Sequence, residues 1–523
     1  MNPQPLLLLN QALQYLRNNN PNSAALLVKQ ALKLDPKNVD ALRLFGVVLA
    51  QKHQHIEALN YFQKALKLDP KNGLVFSNIG NTLQELKRYE EALVAYDQAI
   101  SLLPNYAEAY SNRGNALHEL KRYQQALLSH RQAIAIEPNY AEAYSNLGNT
   151  LQKLKLHEEA LIAYDNAISV NPRFSEAWCN KGFTLSELKR YNEALSAYDL
   201  AINLDPQNSE AHWNKSLAEL VTGKLLSGWK NYEFRWKKRG AESYKHAEIP
   251  SLTSLNNIAG KKILVWSEQG YGDTIQFCRF IEKLSALNAE VIFEVQPPLT
   301  TLLSNSLLGC NVISEGTQHG DIDFAVPLLS LPLIFSIGPD NIPTKNAYLA
   351  GNKGKSDHWR DLLKLDKSQL NIGIACSGNE IHKSDLDRSI DLELFEPLTK
   401  FANLFLIQKK LRPKDLNYLE KSTRIHYLGD KIQDFSDSAA IVDEMDAIVS
   451  VDTSLAHLSG ALGRPTFILV HWNPEWRWLL DRQNSPWYPT IKIIRQNFPG
   501  NWASTIEEVI SCMRQKTSFL FYP

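Results

Sequence analysis

The stretch AEAYSNLGNTLQKLKLHEEALIAYDNAISVNPRF, residues 141–174, returns in variant form along the first part of the chain. Each copy carries a proline at the same position, 34 residues after the last: Pro36, Pro70, Pro104, Pro138, Pro172 and Pro206. Each copy also carries small residues at fixed positions, as at Gly148, Ala160 and Ala167. Small residues let antiparallel helices approach closely, and proline starts the turn after the second helix. The period therefore predicts a stack of two-helix units.

This pattern resembles the tetratricopeptide repeat family, and the resemblance implies an α-solenoid over residues 1–238. Repeats are predicted to start near residues 5, 39, 73, 107, 141, 175 and 209. The last unit has Ser216 in place of the glycine and Gly228 in place of the first alanine. Such departures are typical of a capping or transitional unit.

A column of asparagines occupies one position of the repeat, two residues before the glycine: Asn78, Asn112, Asn146, Asn180 and Asn214. We expect it to face the concave groove, where a carboxamide can both donate to and accept from a peptide backbone. A similar column is typical of the repeats of protein O-GlcNAc transferases, which implies a protein or peptide partner in the groove. The alternative is that these amides bond within or between repeats. The sequence leaves both open.

The composition excludes several classes of protein. Lys+Arg and Asp+Glu both number 56, so no basic surplus predicts a nucleic-acid partner. No apolar run reaches the roughly 20 residues of a membrane-spanning helix, and no secretory signal peptide is recognisable. The five cysteines are dispersed, which argues against a disulfide framework or a zinc site. We therefore predict a cytoplasmic location without a transmembrane segment; the sequence predicts no oligomeric state.

The second part of the chain alternates short apolar runs with amphipathic stretches, the signature of an α/β fold. After a linker over 239–260, we predict an N-terminal lobe over 261–365 and a C-terminal lobe over 366–523. Each lobe is expected to contain a parallel, Rossmann-like sheet. Ligands of such sheets bind beyond the carboxyl ends of the strands. The loops at those ends are therefore the candidates for chemistry.

The first candidate loop follows the strand predicted over 262–266 and contains Gly270, Gly272, Asp273 and Thr274. The two glycines permit a tight turn before a helix. Asp273 is thereby placed at the cleft between the lobes, where its carboxylate would take a proton from an acceptor hydroxyl. The alternative is that Asp273 caps the helix, a common use of aspartate.

Two further loops carry anion-binding residue types. The loop after the strand predicted at 371–376 contains Ser377, Gly378 and Asn379, followed by His382, Lys383, Arg388 and Ser389. The loop after 447–451 contains Asp452, Thr453, Ser454 and His457. Cations, hydroxyls and free helix amides all stabilise phosphate oxygens. Gln408 and Lys409, which end another predicted strand, are candidates to face a nucleotide. The alternatives are solvated loops, helix caps and a packed histidine.

These three segments, in this order, resemble the two-lobed (GT-B) glycosyltransferases of the ADP-heptose:lipopolysaccharide heptosyltransferase-like family. The resemblance covers about residues 260–500 and is strongest at Gly272-Asp-Thr274 and at 452–458. It implies that Asp273 is the general base and that Asp452, Thr453, Ser454 and His457 contact the donor. Ser454 stands where the family often has glycine. Bacterial proteins that join tetratricopeptide repeats to this domain have similar aromatic tails, here 473–478 and 485–488, which would line a pocket or pack between lobes.

The sequence thus predicts an inverting glycosyltransferase that uses a nucleotide-sugar donor, with no other cofactor. Arg388 and Lys409 would assist the leaving group in place of a metal. The Asp-x-Asp triplet at Asp321 and Asp323 precedes an apolar run and is not expected to bind a metal. The acceptor, protein or glycan, and the donor both remain open. The rival hypothesis is a non-catalytic repeat scaffold with a degenerate transferase domain.

Overall fold

The computed structural model describes residues 4–366, 368–378 and 385–515, apart from the side chain at position 386. The chain folds into two compact units, Met1–Ala211 and His212–Pro523. The division lies before the predicted end of the repeats at residue 238. No helix among the described residues is both long enough and apolar enough to cross a membrane.

The first unit consists of paired helices, as predicted for an α-solenoid. They are α1 Gln4–Arg17, α2 Pro21–Leu34, α3 Val39–Gln51, α4 His55–Leu68, α5 Gly73–Glu85, α6 Tyr89–Leu102, α7 Ala107–Glu119, α8 Tyr123–Ile136, α9 Ala141–Lys153, α10 His157–Val170, α11 Ser175–Glu187 and α12 Tyr191–Leu204. A Cβ on Gly148 would lie only 2.5 Å from the Tyr164 ring. The repeated glycine is therefore required because an aromatic ring from the second helix of the pair lies against its backbone.

The seventh helix pair packs within the second unit. It consists of α13 Ser209–Val221, which begins at the boundary, and α14 Leu225–Tyr232. The Trp229 indole donates to the Ile337 carbonyl oxygen at 3.0 Å. After α14, the buried Arg235 donates to both carboxylate oxygens of Glu268, at 2.8 and 2.9 Å. These contacts explain why the atypical last repeat belongs to the α/β unit.

The second unit contains two parallel sheets, which agrees with the predicted α/β class. The strands are β1 Lys262–Trp266, β2 Glu290–Val295, β3 Cys310–Ser314, β4 Phe324–Pro327, β5 Leu370–Ala375, β6 Ala402–Leu406, β7 Ile425–Tyr427, β8 Ala447–Val451, β9 Thr466–Val470 and β10 Ile491–Arg495. The first sheet has the order β3-β2-β1-β4 and the second the order β10-β9-β8-β5-β6-β7. Every strand pair within the two sheets is parallel, and the central strands are buried along almost their whole length.

Helices connect and flank these strands. They are α15 Tyr271–Phe277, α16 Ile281–Ser285, α17 Thr300–Ser306, α18 Leu331–Ile334, α19 Lys353–Leu363, α20 Asp385–Arg388, α21 Pro413–Leu419, α22 Phe435–Glu444, α23 Ser454–Ala461 and α24 Ala503–Arg514. The core of the larger sheet is formed by aliphatic residues of its strands, packed against α24 and against residues 390–398.

The segment predicted as a linker is bound to the edge of the first sheet. The Leu252 amide donates to the Ala325 carbonyl oxygen, and the Ala325 amide donates to the Pro250 carbonyl oxygen, both at 2.9 Å. Ser251 and Ala325 form a parallel bridge. The segment thus covers the open edge of β4, where unpaired backbone groups would otherwise remain.

Candidate functional site

The three loops singled out by sequence follow strands at which the strand order of a sheet changes direction. The loop of Asp273 follows β1, which lies between β2 and β4. The loops of Ser377 and Asp452 follow the neighbouring strands β5 and β8. Such switch points open a crevice beyond the carboxyl ends of the strands, where ligands of α/β proteins bind.

Asp273 lies in the first turn of α15, and both of its carboxylate oxygens are occupied. One accepts a hydrogen bond from the Gly270 amide at 2.9 Å, and the other accepts from the Arg477 guanidinium. The first contact caps the N-terminus of α15. Asp273 therefore has the capping role considered from sequence. The side chain is 15% exposed.

The neighbours of Asp273 hold this loop in place. The buried Thr274 hydroxyl donates to the Gln296 side chain at 2.9 Å, which ties the loop to the end of β2. Gly272 packs against the ring of His457 in α23: an added Cβ would lie 2.8 Å from the ring Cδ2. The first and third candidate loops are therefore in direct contact.

His457 is buried among aromatic residues. Its Nδ1 lies 2.8 Å from the Tyr488 hydroxyl, and its ring stacks on Trp478 with 5.3 Å between centroids. Burial, with the nearby positive charges of Arg477 and Arg279, lowers the pKa of His457 well below its ordinary value. The ring is therefore neutral and held in one orientation.

Asp452 follows β8 and is almost fully buried. Burial and the negative charge of Glu475 raise its pKa to about 6, against the opposing influence of Arg477 and Arg388. One carboxylate oxygen lies 3.9 Å from Nε2 of His457. A buried carboxyl with a raised pKa in a crevice is typical of a functional site.

Thr453 occupies the N-cap position of α23 but makes no side-chain capping bond. Its hydroxyl instead lies 3.0 Å from the Ser450 hydroxyl. Ser454, which is half-buried, begins the helix. The first amides of α23 therefore have no side-chain cap, and such amides attract anions.

The second loop is described in part. A Cβ on Gly378 would lie 2.4 Å from Nη2 of Arg388, so these two predicted residues are in contact. Arg388 also forms an ion pair with Asp385 at 3.3 Å. The buried Ser389 hydroxyl has no hydrogen-bond partner. Asn379, His382 and Lys383 lie outside the described residues.

Gln408 and Lys409 are bound to the protein itself. The Gln408 side chain accepts from the amides of Cys376 and Ser377, at 3.1 and 3.2 Å, and donates to the Ser377 hydroxyl at 2.6 Å. Lys409 is exposed and donates to the Gln433 carbonyl oxygen at 3.0 Å. In this structure Gln408 holds the second loop through these bonds.

Arg477 is the central residue that sequence reasoning missed. Besides Asp273, it donates to Glu475 at 2.6 Å and to the Gln276 side chain at 2.9 Å. Its guanidinium carbon lies 4.2 Å from the centroid of the Trp476 ring. Burial opposes the charge, but the two carboxylates outweigh it and raise the Arg477 pKa above its ordinary value. No local motif marks this residue, because its main partners lie about 200 positions away.

The C-terminal aromatic residues pack between the two lobes. Trp476 and Trp487 lie edge-on to Trp229, with ring centroids 5.3 and 6.3 Å apart. Arg279 of the first lobe donates to the Trp487 carbonyl oxygen at 2.7 Å and lies over the Tyr488 ring. Of the two roles considered for these aromatic residues, interlobe packing is therefore the one present in the structure.

The described residues contain no group of three or more His, Cys, Asp or Glu side chains arranged to hold a metal. Of the Asp-x-Asp triplet, Asp323 accepts from the Lys261 side chain at 2.9 Å and from the Lys262 amide at 2.8 Å. That carboxylate is therefore occupied at the start of β1, the end opposite the candidate loops.

The asparagine column makes contacts between repeats. Asn112 donates to Asn81 at 2.9 Å, and Asn180 donates to Asn149 at 3.0 Å. Asn146 donates to the Ser111 hydroxyl at 3.3 Å. Two further members differ: the Asn78 amide nitrogen is buried without a partner, and Asn214 lies in the second unit. Bonding between repeats, the alternative considered from sequence, is thus present for Asn112, Asn146 and Asn180.

Known repeat families match the first part of the chain. Tetratricopeptide repeat families match residues 9–73, 61–94, 80–121, 114–155, 141–174 and 175–208. Residues 9–208 are therefore tetratricopeptide repeats, which suggests a protein- or peptide-binding role.

One curated relative is Protein FlbA of Caulobacter vibrioides. It is 21% identical over 330 residues, which cover 56% of this chain and 53% of FlbA. The chain thus spans about half the length of this relative.

Solved structures similar to the chain include PilF of Pseudomonas aeruginosa, with 23% sequence identity and a TM-score of 0.36. The match covers 40% of this chain and 96% of PilF. TTC0263 of Thermus thermophilus has 21% identity and a TM-score of 0.33, over 35% of this chain and 98% of that one. YrrB, described as a TPR protein with an unusual peptide-binding site, has 23% identity and a TM-score of 0.30, over 36% and 98%.

Proposed function

We propose that the protein is a glycosyltransferase of the two-lobed GT-B type. It would move a sugar from a nucleotide-sugar donor to a hydroxyl group of a protein or glycan that the repeats recruit. One observation carries the proposal: the loop of Asp273 in the first lobe meets α23 of the second lobe, with Gly272 against His457. A carboxylate thereby lies close to a helix that starts without a side-chain cap.

In the proposed reaction Asp273 is the general base. Its carboxylate takes the proton of the acceptor hydroxyl while that oxygen forms a bond to the anomeric carbon. The bond from that carbon to the nucleoside diphosphate breaks, and the diphosphate leaves with the bonding pair. Attack opposite the leaving group inverts the anomeric centre.

The second lobe would bind the donor. The uncapped amides at the start of α23 and the Thr453 hydroxyl suit the diphosphate, and Arg388 adds positive charge nearby. These groups would neutralise the leaving group without a metal. Asp452, buried and adjacent to His457, would accept hydroxyl groups of the donor sugar.

A second candidate is a repeat scaffold whose transferase lobes are inactive. The ion pair between Asp273 and Arg477 favours it, because Arg477 holds the carboxylate that would act as the general base. In the transferase hypothesis the acceptor hydroxyl must reach a remaining lone pair of Asp273 or displace Arg477. In the scaffold hypothesis the pair is permanent.

Donor binding separates the two hypotheses. The full chain would be titrated by calorimetry with UDP-, GDP-, ADP- and dTDP-sugars, with and without EDTA. We expect one donor to bind, Thr453→Ala and Arg388→Ala to weaken that binding, and Asp273→Asn to preserve binding while abolishing transfer. Folded protein that binds none of the donors would contradict the transferase and support the scaffold.

A further inference from the structure

A cavity of about 750 Å³ lies in the second unit beside the last residues of β4. Its walls come from residues 251–256, from Val326 and Pro327, and from residues 330–336 around α18. Its volume is in the range of roughly 300–1,000 Å³ that is typical of ligand sites. None of the candidate loops contributes to it.

The polar wall of the cavity is built around Glu233. Its carboxylate accepts from the Arg235 guanidinium at 2.8 Å and from the Ser330 hydroxyl at 2.9 and 3.0 Å. Both of these donors are buried, so the carboxylate is fixed, yet the Glu233 side chain remains 33% exposed. Each carboxylate oxygen has two lone pairs, and spare acceptor capacity therefore faces the cavity.

The charge at this wall excludes anionic ligands. Arg235 also donates hydrogen bonds to both carboxylate oxygens of Glu268, to the Tyr232 carbonyl oxygen and to the Ser330 hydroxyl. Two carboxylates thus surround one guanidinium, and the local net charge is negative. A phosphate or carboxylate would be repelled, whereas a hydroxyl group would find an acceptor.

The cavity also has apolar lining residues. Leu252 and Val326 are buried, and Leu333 and Ile334 are partly exposed. Ser254 and Asn256 add a hydroxyl and an amide group to the lining. A neutral sugar ring combines hydroxyl groups at its edge with apolar C–H groups on its faces, and it matches a cavity lined by both kinds of group.

The cavity is lined by Pro327, the last residue of β4. Pro327 is in register with Trp266, the last residue of β1, which leads into that loop. We propose that the cavity binds one or two neutral hexose units of a glycan acceptor, beyond the unit whose hydroxyl group reacts. The acceptor assignment rests on the proposed function, whereas the binding itself can be measured without a donor.

The test is direct binding to the full chain in the absence of nucleotide sugars. Saturation-transfer NMR and calorimetry would use maltotriose, cellotriose and chitotriose as neutral probes, a trigalacturonate as an anionic probe and spermidine as an amine. We expect a neutral trisaccharide to bind and the anion not to bind. Absence of binding by all neutral probes, or binding by spermidine alone, would overturn the proposal.

Two matched variants locate the binding. Thr253→Trp fills the cavity from its exposed wall and should weaken binding by at least about tenfold. Thr301→Trp introduces the same ring at an exposed position of α17, outside the cavity, and should leave binding unchanged. Equal affinity of both variants, with unchanged thermal unfolding, would contradict the cavity as the site. Saccharide binding, together with no binding of any donor in the calorimetric titrations described above, would refute the transferase and leave the saccharide site supported.

Discussion

Gly272 and His457 are in van der Waals contact, so that a Cβ on the glycine would lie 2.8 Å from the ring of the histidine. The two residues belong to different lobes and to two of the three loops predicted from sequence. The His457 ring is restricted in its movement, because it is hydrogen-bonded to Tyr488 and stacked on Trp478. The close packing of the crevice therefore depends on the absence of a side chain at position 272.

The substitution Gly272→Ala tests this contact. The added methyl group must displace a fixed ring, and overpacking of this kind costs about 1–3 kcal/mol. We expect the free energy of unfolding of the second unit, measured by urea denaturation, to fall by that amount. Gly320→Ala is the control, because a Cβ there meets no atom within 4 Å. Equal effects of the two substitutions would show that the contact is unimportant.

The ion pair between Arg477 and Asp273 makes a second prediction. Arg477→Met removes the cation and leaves Asp273 and Glu475 without it, and breaking such a buried pair costs about 3 kcal/mol or more. We expect Arg477→Met to cost less when Asp273→Asn is also present. A double-mutant cycle from urea denaturation measures this coupling. Strictly additive effects would mean that the two side chains do not interact.

His130 makes a third prediction, in the repeats. It occupies the position of Tyr96 and Tyr164, is fully buried, and neither ring nitrogen has a hydrogen-bond partner. Burial lowers its pKa from the ordinary 6.5 to about 3. Between pH 6.5 and about 3, His130 is protonated in the unfolded chain but neutral in the folded state. The stability of the first unit should therefore fall by up to about 1.4 kcal/mol per pH unit between pH 6.5 and about 3.

Two substitutions of His130 separate the effect of its missing hydrogen bond from the effect of its protonation. Tyr96 and Tyr164 donate to Asn81 and Asn149 at 2.8 Å, and Asn115 occupies the equivalent position for residue 130. His130→Tyr should therefore raise the stability by about 1 kcal/mol and remove the acid-dependent loss. His130→Phe should remove only the acid dependence. Thermal unfolding between pH 4 and pH 8 measures both, and an unchanged pH profile in both variants would refute the assignment.

The contribution of Asp452 to stability depends on pH with the opposite sign to that of His130. Its pKa is raised from the ordinary 3.8 to about 6, so the folded state binds a proton before the unfolded chain does. Its contribution to stability therefore grows as pH falls from about 6 to 3.8 and is unfavourable at neutral pH. Asp452→Asn should raise stability at pH 7.5 by about 1–3 kcal/mol, less at pH 5, and should weaken donor binding. Exposed Asp340→Asn is the control; a loss of stability at pH 7.5 in Asp452→Asn would contradict the prediction.

Local patterns were sufficient for the repeats and for the position of the loops. The 34-residue period predicts the helix pairs because each glycine, such as Gly148, contacts a residue of its own repeat, here Tyr164. Strands such as β5 and β8 are short apolar runs, and their ends therefore mark the loops of Ser377 and Asp452. For Asp273 the sequence left two roles open, and the structure shows the capping bond.

The sequence by itself determined the class of each half: the repeats, the α/β alternation and the residue types at the strand ends. Only the tertiary structure decided that Arg477 binds Asp273, that α14 packs within the second unit and that residues 250–252 cover the edge of β4. The physical reason is the range of the interactions. Periodicity and turn chemistry act between residues close in sequence, whereas these ion pairs, ring contacts and edge pairings join residues 70 to 200 positions apart, where no local pattern records the partner.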